Sequence, residues 1–271
     1  MKYSVLMTVY RDDNPVYFEQ SLQSMVDQTL KPDEIILVKD GPVPDSIQKV
    51  INKISKASDG LIKGIQLEKN VGLGLALNEG IKVCQNELIA RMDSDDISMP
   101  TRCERQIAEF ERNPSIDIVG CPVYEFTDSI ENVVGIRRVP LTAEAVIKYV
   151  RRRDPFNHPT VMYRKSKLLE VGCYRDLRKN QDTDLWLRLL NNDCIGINIP
   201  EVLFFFRFDE STYIKRKSWI NTKFLISIRY EALKQNYCSV IDFCVVALSQ
   251  MGIYILPETV QKFVYRKFLR N

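Results

Sequence analysis

Short apolar runs alternate with amphipathic segments through the first 115 residues. The runs at residues 3–9, 34–39, 61–67 and 87–92 predict β-strands. Between them, apolar side chains recur at helical spacing, as Phe18, Leu22 and Met25 do after Pro15. Strands that alternate with helices form right-handed crossover units. The pattern therefore predicts an α/β fold with a mainly parallel, Rossmann-like sheet and helices on both faces.

The alternation loosens after Asp117. Strands are predicted at residues 116–123, 133–139, 160–163 and 203–208, with helices over 142–151 and from Asp182 onward. From residue 215 the pattern predicts helices alone. We therefore expect an α/β domain over residues 1–210, with halves 1–115 and 116–210, followed by a helical extension over 211–271.

Three carboxylates follow the fourth predicted strand directly. They are Asp93, Asp95 and Asp96. Open α/β sheets bind their ligands at the carboxyl ends of strands, and clustered carboxylates suit Mg²⁺ or Mn²⁺. The alternative is an acidic turn in which Asp96 or Ser98 caps a helix that begins near Pro100.

Two other loops are expected at the same edge of the sheet. Asp40 and Gly41 follow the second strand and are residues typical of a turn. Residues 70–74 lie between a predicted strand and a predicted helix. Small residues at a helix N-terminus let the backbone approach phosphate oxygens. A plain turn remains the alternative for each loop, with Asn70 capping the turn that follows it.

Composition narrows the function classes. A net charge of +3 is too small to argue for a nucleic-acid partner, and none is expected. Seven cysteines without a Cys-x-x-Cys pair indicate a reduced, cytoplasmic setting rather than a disulfide scaffold. No signal peptide precedes the first strand, and no stretch reaches the ~20 apolar residues of a membrane span. Residues 237–257 come nearest, and they predict a buried or interfacial helix.

Six motifs follow one another along residues 3–210. They are Ser4-Val5-Leu6-Met7-Thr8-Val9-Tyr10, Val38-Lys39-Asp40-Gly41, Asn70-Val71-Gly72, Met92-Asp93-Ser94-Asp95-Asp96, Asn157-His158-Pro159-Thr160-Val161-Met162 and Gln181-Asp182-Thr183-Asp184-Leu185-Trp186-Leu187-Arg188. In this order and spacing they resemble inverting family 2 glycosyltransferases with the GT-A fold. The resemblance is to bacterial capsular and exopolysaccharide transferases of the amylovoran-biosynthesis type.

The resemblance implies a nucleotide-sugar site in the first half of the chain. It assigns the nucleotide base and ribose to Thr8, Val9, Tyr10 and Asp40, with the Asp40 carboxylate accepting the uracil N3–H. Asp93, Ser94 and Asp95 correspond to the Asp-x-Asp motif, in which Asp93 and Asp95 hold Mn²⁺ or Mg²⁺ beside the diphosphate. Asn70, Gly72 and Arg91 are the further candidates for diphosphate contacts.

The last two motifs imply the acceptor side. Asp182 matches the general base that takes the proton of the acceptor hydroxyl, although an aspartate before an apolar helix is also a natural N-cap. Gln181 stands where relatives usually carry glutamate, which puts a role for a paired carboxylate in doubt. His158, Gln181 and Trp186 are candidate acceptor or diphosphate contacts, with structural packing as the alternative for His158 and Trp186.

The function implied is transfer of a sugar from a UDP-sugar to a glycan, with a polyprenyl-diphosphate-linked oligosaccharide as the expected acceptor. A non-catalytic module that binds nucleotide sugars or glycans is the competing hypothesis. Gln181 favours that module, whereas an intact Asp-x-Asp motif together with Asp182 opposes it.

The basic segments suggest a surface for the acceptor or a membrane. Residues 215–271 mix aromatic and basic side chains, which suits peripheral contact with an anionic leaflet on the inner face of the cytoplasmic membrane. Covering the sheet edge or forming a dimer contact is the alternative. Arg151, Arg152 and Arg153 predict either a solvated helix end or a contact with a pyrophosphate-linked lipid acceptor.

Overall fold

The computed structural model describes residues 1–208 and 218–255. The predicted boundary near residue 210 lies outside the described residues, as do Lys215, Arg216, Lys217 and everything beyond residue 255. The two ranges contain two β-sheets and nine α-helices.

Seven strands form the main sheet, which positions the candidate site. They are β1 (Tyr3–Val9), β2 (Glu34–Lys39), β3 (Ile62–Gln66), β4 (Leu88–Met92), β6 (Ile118–Gly120), β9 (Met162–Arg164) and β10 (Gly196–Asn198). Their order is β10-β6-β9-β4-β1-β2-β3. β1 pairs in parallel with both β2 and β4, and β9 runs antiparallel between β4 and β6. The predicted mainly parallel sheet is therefore confirmed.

Four short strands form a second sheet beside the first. They are β5 (Ile97–Ser98), β7 (Val123–Phe126), β8 (Val133–Arg137) and β11 (Phe204–Arg207), in the order β5-β11-β7-β8. The single strand predicted over residues 116–123 is wrong, because β6 and β7 belong to different sheets. Pro122 cannot donate to a ladder, and the Cys121 N–H bonds to Thr160 Oγ1 at 3.3 Å instead.

Helices cover both faces of the main sheet. They are α1 (Pro15–Val26), α2 (Asp45–Ala57), α3 (Leu73–Val83), α4 (Arg102–Arg112), α5 (Ala143–Tyr149), α6 (Lys165–Glu170) and α7 (Gln181–Leu190). One apolar cluster includes Phe18 and Phe110, and the other, on the opposite face, includes Leu77 and Trp186. Each such fully buried side chain contributes roughly 1.5–3 kcal/mol relative to exposure, so these two clusters hold the layers together.

The C-terminal helices are α8 (Trp219–Lys234) and α9 (Val240–Ile255). α8 contacts α7, and α9 contacts α8. α9 lies largely in the open, since Ile241 is 69% exposed and Leu248 is 74% exposed, so the buried alternative for this segment is wrong. Across residues 1–208 and 218–255, no helix combines the length and the apolar character needed to cross a bilayer.

Candidate functional site

The predicted loops meet at one edge of the main sheet. Parallel pairing aligns Val9 with Lys39 on one side of β1 and Met7 with Met92 on the other. The carboxyl ends of β1, β2 and β4 therefore open into one crevice. This edge brings together Tyr10, Asp40 and the three carboxylates that follow β4, as the sequence predicts.

Three carboxylates cluster in the crevice. Asp93, Asp95 and Asp96 each offer an oxygen within 4.8 Å of the others. Asp93 is half-buried, Asp95 is exposed and Asp96 is fully buried. The surrounding protein takes part of the water away from Asp95, and together with the charges of Asp93 and Asp13 this raises the pKa of its carboxyl to about 7.

Asp13 is a fourth acid of this crevice, and the sequence analysis missed it. It follows β1, accepts from the Tyr10 N–H at 3.0 Å and also bonds to Ser94. Burial first, and then the charge of Asp93, raise the pKa of Asp13 to about 6. Asp13 could have been predicted from its position, because it follows a strand whose carboxyl end opens into the crevice. Clustered carboxylates that repel one another suit a divalent cation, so the donor set of Asp93, Asp95 and Asp96, with Asp13 nearby, fits Mg²⁺ or Mn²⁺.

Arg207 holds the acid loop from the second sheet. Its backbone N–H donates to Asp96 Oδ1 at 2.7 Å, and its Nε donates to the Asp95 carbonyl at 2.8 Å. Asp96 is therefore not a helix cap, and Thr101 precedes α4 without a side-chain capping bond. No sequence pattern near Arg207 predicts this contact, because it depends on how β11 packs as part of the second sheet.

Asp40 organises the loop that precedes α3. Its carboxylate oxygens accept from the N–H groups of Val71 at 2.7 Å and Gly72 at 3.0 Å. A side chain at Gly41 would place Cβ 2.7 Å from Asn70 N, so only glycine permits this approach. Each oxygen retains a second lone pair, and the contact between Asp40 and uracil stays a prediction.

The neighbouring predicted residues divide into two groups. Val9 is buried in the core, and only its carbonyl faces the loop, where it accepts from Asp40 N at 2.8 Å. Thr8 is half-buried and Tyr10 is exposed, so both can meet a ligand. Asn70 does not cap α3: its Nδ2 donates to the Asp40 carbonyl at 3.3 Å, and Gly72 occupies the cap position.

Arg91 lies beneath the acids rather than in the open crevice. It is 1% exposed and forms an ion pair with Asp93, while its Nε and Nη1 find no partner among the described residues. The predicted contact between Arg91 and a diphosphate is therefore wrong, because the side chain is buried. The guanidinium offsets part of the negative charge of the cluster from below.

Asp182 lies in the first turn of α7, within electrostatic reach of Arg91, which pairs with Asp93 of the acid cluster. Asn180 occupies the cap position with a left-handed φ of 57°, so the alternative that Asp182 is the N-cap is wrong. Asp182 is half-buried, and burial together with the charge of Asp154 raises the pKa of its carboxyl to about 7. A carboxyl with this pKa can accept a proton near neutral pH.

Asp184 is excluded as a second base by its ion pairs. It lies 2.8 Å from Arg188 and 3.2 Å from Arg175, and it does not share the capping role either. Gln181 lies next to the first turn of α3, since a Cβ added at Gly74 would come 3.4 Å from its Cγ. A contact between Gln181 and the acceptor or the diphosphate stays a prediction.

The segment that carries Asp154 runs beside α7. The ring centroids of Phe156 and Trp186 are 5.2 Å apart, and those of His158 and Trp186 are 5.9 Å apart. This packing brings Asp154 towards Asp182, 28 positions later in the sequence. The sequence analysis did not single out Asp154, because nothing local marks it.

His158 and Trp186 pack beneath the crevice instead of lining it. Trp186 is fully buried, which contradicts an acceptor platform. His158 is 8% exposed, and its Nε2 lies 2.8 Å from Tyr174 Oη. Burial lowers the pKa of His158 well below its usual value, so its ring is neutral and the packing alternative holds.

The chain is similar to known sugar transferases over most of its length. The sequence profile named Glycosyl transferase family 2 matches residues 4–175. A UDP-Gal:alpha-D-GlcNAc-diphosphoundecaprenol beta-1,3-galactosyltransferase of Escherichia coli is 36% identical, covering 100% of this chain and 97% of the relative. The amylovoran biosynthesis glycosyltransferase AmsE of Erwinia amylovora is 34% identical and covers 98% of each chain.

Solved structures share the fold at lower identity. The mannosyltransferase PcManGT from Pyrobaculum calidifontis, in complex with GDP-Man and Mn²⁺, has a TM-score of 0.67 at 15% identity, covering 86% of this chain and 64% of that one. TarS 1-349 of S. aureus in complex with UDP-GlcNAc has a TM-score of 0.62 at 18% identity, covering 96% and 83%. These similarities confirm the predicted GT-A fold.

Proposed function

The chain belongs to glycosyltransferase family 2, and from this premise we propose that it moves a sugar from a UDP-sugar to a hydroxyl of a polyprenyl-diphosphate-linked glycan, with inversion. The observation that carries the proposal is the position of Asp182, a carboxyl with a pKa of about 7, within electrostatic reach of the Arg91 guanidinium that pairs with Asp93 of the acid cluster. The E. coli relative supports the substrate classes, since its name contains both UDP-Gal and a diphosphoundecaprenol acceptor.

The donor side of the proposal rests on the acid cluster. Asp93 and Asp95 would hold Mn²⁺ or Mg²⁺, with Asp13 and Asp96 beside them. When bound, the ion supplies charge neutralisation for the departing diphosphate. Asp40 fixes the loop before α3 by accepting from the N–H groups of Val71 and Gly72, and Thr8 and Tyr10 lie at the end of β1 where the nucleoside would contact the protein.

The acceptor side of the proposal rests on Asp182. The acceptor oxygen attacks the anomeric carbon from the face opposite the diphosphate, the bond between that carbon and the diphosphate breaks, and UDP leaves. The hydroxyl proton passes to Asp182, whose pKa of about 7 suits proton transfer at neutral pH. Screening nucleotide sugars against lipid-linked acceptors, with detection of the extended glycan, tests this function. Absence of a glycan product with every donor would favour a binding module instead.

An acceptor in the membrane implies peripheral attachment at its cytoplasmic face. Trp219 is 49% exposed and Ile220 is 56% exposed at the start of α8, which agrees with a surface that meets lipid. Covering of this surface by another protomer is the competing explanation, and sedimentation with and without anionic vesicles separates the two.

Replacing Asp154 with asparagine is expected to move the acidic limb of the rate profile to lower pH. The negative charge of Asp154 helps to raise the pKa of Asp182, so its removal lowers that pKa and leaves the base unprotonated in more acidic solution. The shift should reach up to about one pH unit. The pH dependence of kcat/KM measures it.

A matched control is available just beyond α7. Asp193 is exposed just after the distal end of α7 and has a left-handed φ of 57°, which asparagine tolerates. Asp193→Asn should leave the acidic limb where it is in the wild-type protein. An acidic limb that stays in place in Asp154→Asn as well would contradict the link between Asp154 and Asp182.

A further inference from the structure

A basic cleft lies outside the acid cluster, since none of the clustered carboxylates lines it. It has a volume of about 650 Å³ and lies between α5, the loop that follows α5, and the start of α9. Lys148, Arg151, Arg152 and Arg153 line it together with the apolar side chain of Ile241. This size falls within the range of small-molecule sites. We call it the basic cleft.

The basic cleft carries an excess of positive charge. Asp242 is the acidic residue in its lining, and it is already bonded to Arg152 at 2.6 Å and to Ser239. Lys148, Arg151 and Arg153 make no ion pair or hydrogen bond with a described residue through their side chains. Three free cations around a concave surface attract a multiply charged anion.

The basic cleft is next to the acceptor side of the crevice. Arg153 directly precedes Asp154, whose charge acts on Asp182. The loop is fixed from below, because Arg229 of α8 donates from Nη1 to the Val150 carbonyl. Asp154 therefore connects the basic cleft to the surroundings of Asp182.

An apolar stripe begins at the basic cleft and follows α9. Ile241, Val245, Leu248 and Ile255 recur at intervals of three, four or seven residues and share one helix face. Their exposed fractions are 69%, 40%, 74% and 73%. A row of open apolar side chains that starts at a cationic cleft matches a ligand with an anionic head and a hydrocarbon tail.

We propose that the basic cleft binds the diphosphate of the polyprenyl-diphosphate-linked acceptor and that the apolar stripe contacts its isoprenoid chain. The proposal rests on the proposed function for the identity of the acceptor. It gives the cations the role of fixing the diphosphate, so that the attached sugar reaches Asp182. Anionic lipid headgroups share the phosphate chemistry, but a bilayer surface makes no use of a concave site beside the base.

Titration with geranyl diphosphate tests the proposal directly. Saturating UDP with Mn²⁺ is present throughout, so that the nucleotide crevice is filled. The wild-type protein should bind geranyl diphosphate more tightly than inorganic pyrophosphate or geraniol, because only the first engages cleft and stripe together. The double variant Arg151→Ala/Arg153→Ala should bind it about tenfold or more weakly. Ile241→Ser/Leu248→Ser should reduce its affinity to that of pyrophosphate.

The matched control removes two exposed cations from a distant helix. Lys49→Ala/Lys56→Ala on α2 should bind geranyl diphosphate as the wild type does. UDP affinity, measured on every variant, should equal that of the wild type and shows that each one is folded. Equal geranyl diphosphate affinity in the wild type and in Arg151→Ala/Arg153→Ala would overturn the proposal.

Two further arms separate the alternatives. In sedimentation with phosphatidylglycerol vesicles, loss of vesicle binding by Arg151→Ala/Arg153→Ala with unchanged geranyl diphosphate affinity would assign the cations to the leaflet and overturn the proposal. Sugar transfer plays no part in these titrations. Cation-dependent binding in a protein that transfers no sugar would therefore refute the proposed function and still support the cleft as a diphosphate site.

Discussion

Asp182→Asn is expected to suppress sugar transfer by about 10²–10⁴-fold while UDP affinity is retained. The carboxyl of Asp182 lies in the first turn of α7 with a pKa of about 7, and it is the group placed to take the proton of the acceptor hydroxyl. An amide of the same size keeps the packing but accepts no proton at neutral pH. Transfer at saturating acceptor, together with a UDP titration, measures the two effects separately.

The structure removes the main ambiguity of this experiment. Asparagine and aspartate cap helices about equally well, so a merely capping Asp182 would tolerate the exchange. The cap position belongs to Asn180, and Asp184 is held by Arg175 and Arg188. Asp193→Asn serves again as the control for an exchange of the same kind at an exposed position. Transfer by Asp182→Asn at the wild-type rate would contradict the base assignment.

UDP is expected to bind weakly in EDTA and much more tightly with Mn²⁺ or Mg²⁺, and Asp95→Ala is expected to abolish that difference. The acids of the crevice repel a diphosphate until a cation lies between them. Losing a carboxylate that contacts the ion should weaken metal-dependent UDP binding by about 100-fold. Calorimetry of metal-free protein, with each ion added in turn, gives the two affinities.

Asp12→Ala is the control for the loss of one negative charge near the crevice. Asp12 is exposed and lies 3.6 Å from Arg11, on the same loop as Asp13. Its removal should leave the response to Mn²⁺ intact. If UDP affinity changes neither on adding the metal nor on the Asp95→Ala exchange, the assignment of Asp93 and Asp95 as metal ligands is disproved.

The donor half of the site could be predicted from local sequence. Strands β1, β2 and β4 are encoded by continuous apolar runs, and a parallel sheet brings their carboxyl ends to one edge. A residue that follows any of these strands is therefore placed by its position in the sequence alone. Asp40, Asp93 and Asp95 were found in this way, and Asp13 could have been.

The acceptor half depends on contacts that local sequence does not encode. His158 and Trp186 belong to a recognisable motif, yet the packing of Phe156 against Trp186 places both beneath the crevice. The same packing brings Asp154 to Asp182. Whether a particular ring is buried depends on which segments pack over it in the folded protein, and the periodicity of the sequence alone does not show that packing.

The sequence by itself determined the alternation of strands and helices over the first 115 residues, the edge at the carboxyl ends of those strands and the family motifs that lie there. The tertiary structure alone decided which charges act on one another. The Arg207 backbone N–H reaches Asp96 across 111 positions, and the Arg152 guanidinium reaches Asp242 across 90. Such contacts depend on how the second sheet and the C-terminal helices pack. The physical reason is that the periodicity of side chains acts locally along the chain, whereas electrostatic interactions and hydrogen bonds between distant segments depend on distance in the folded molecule.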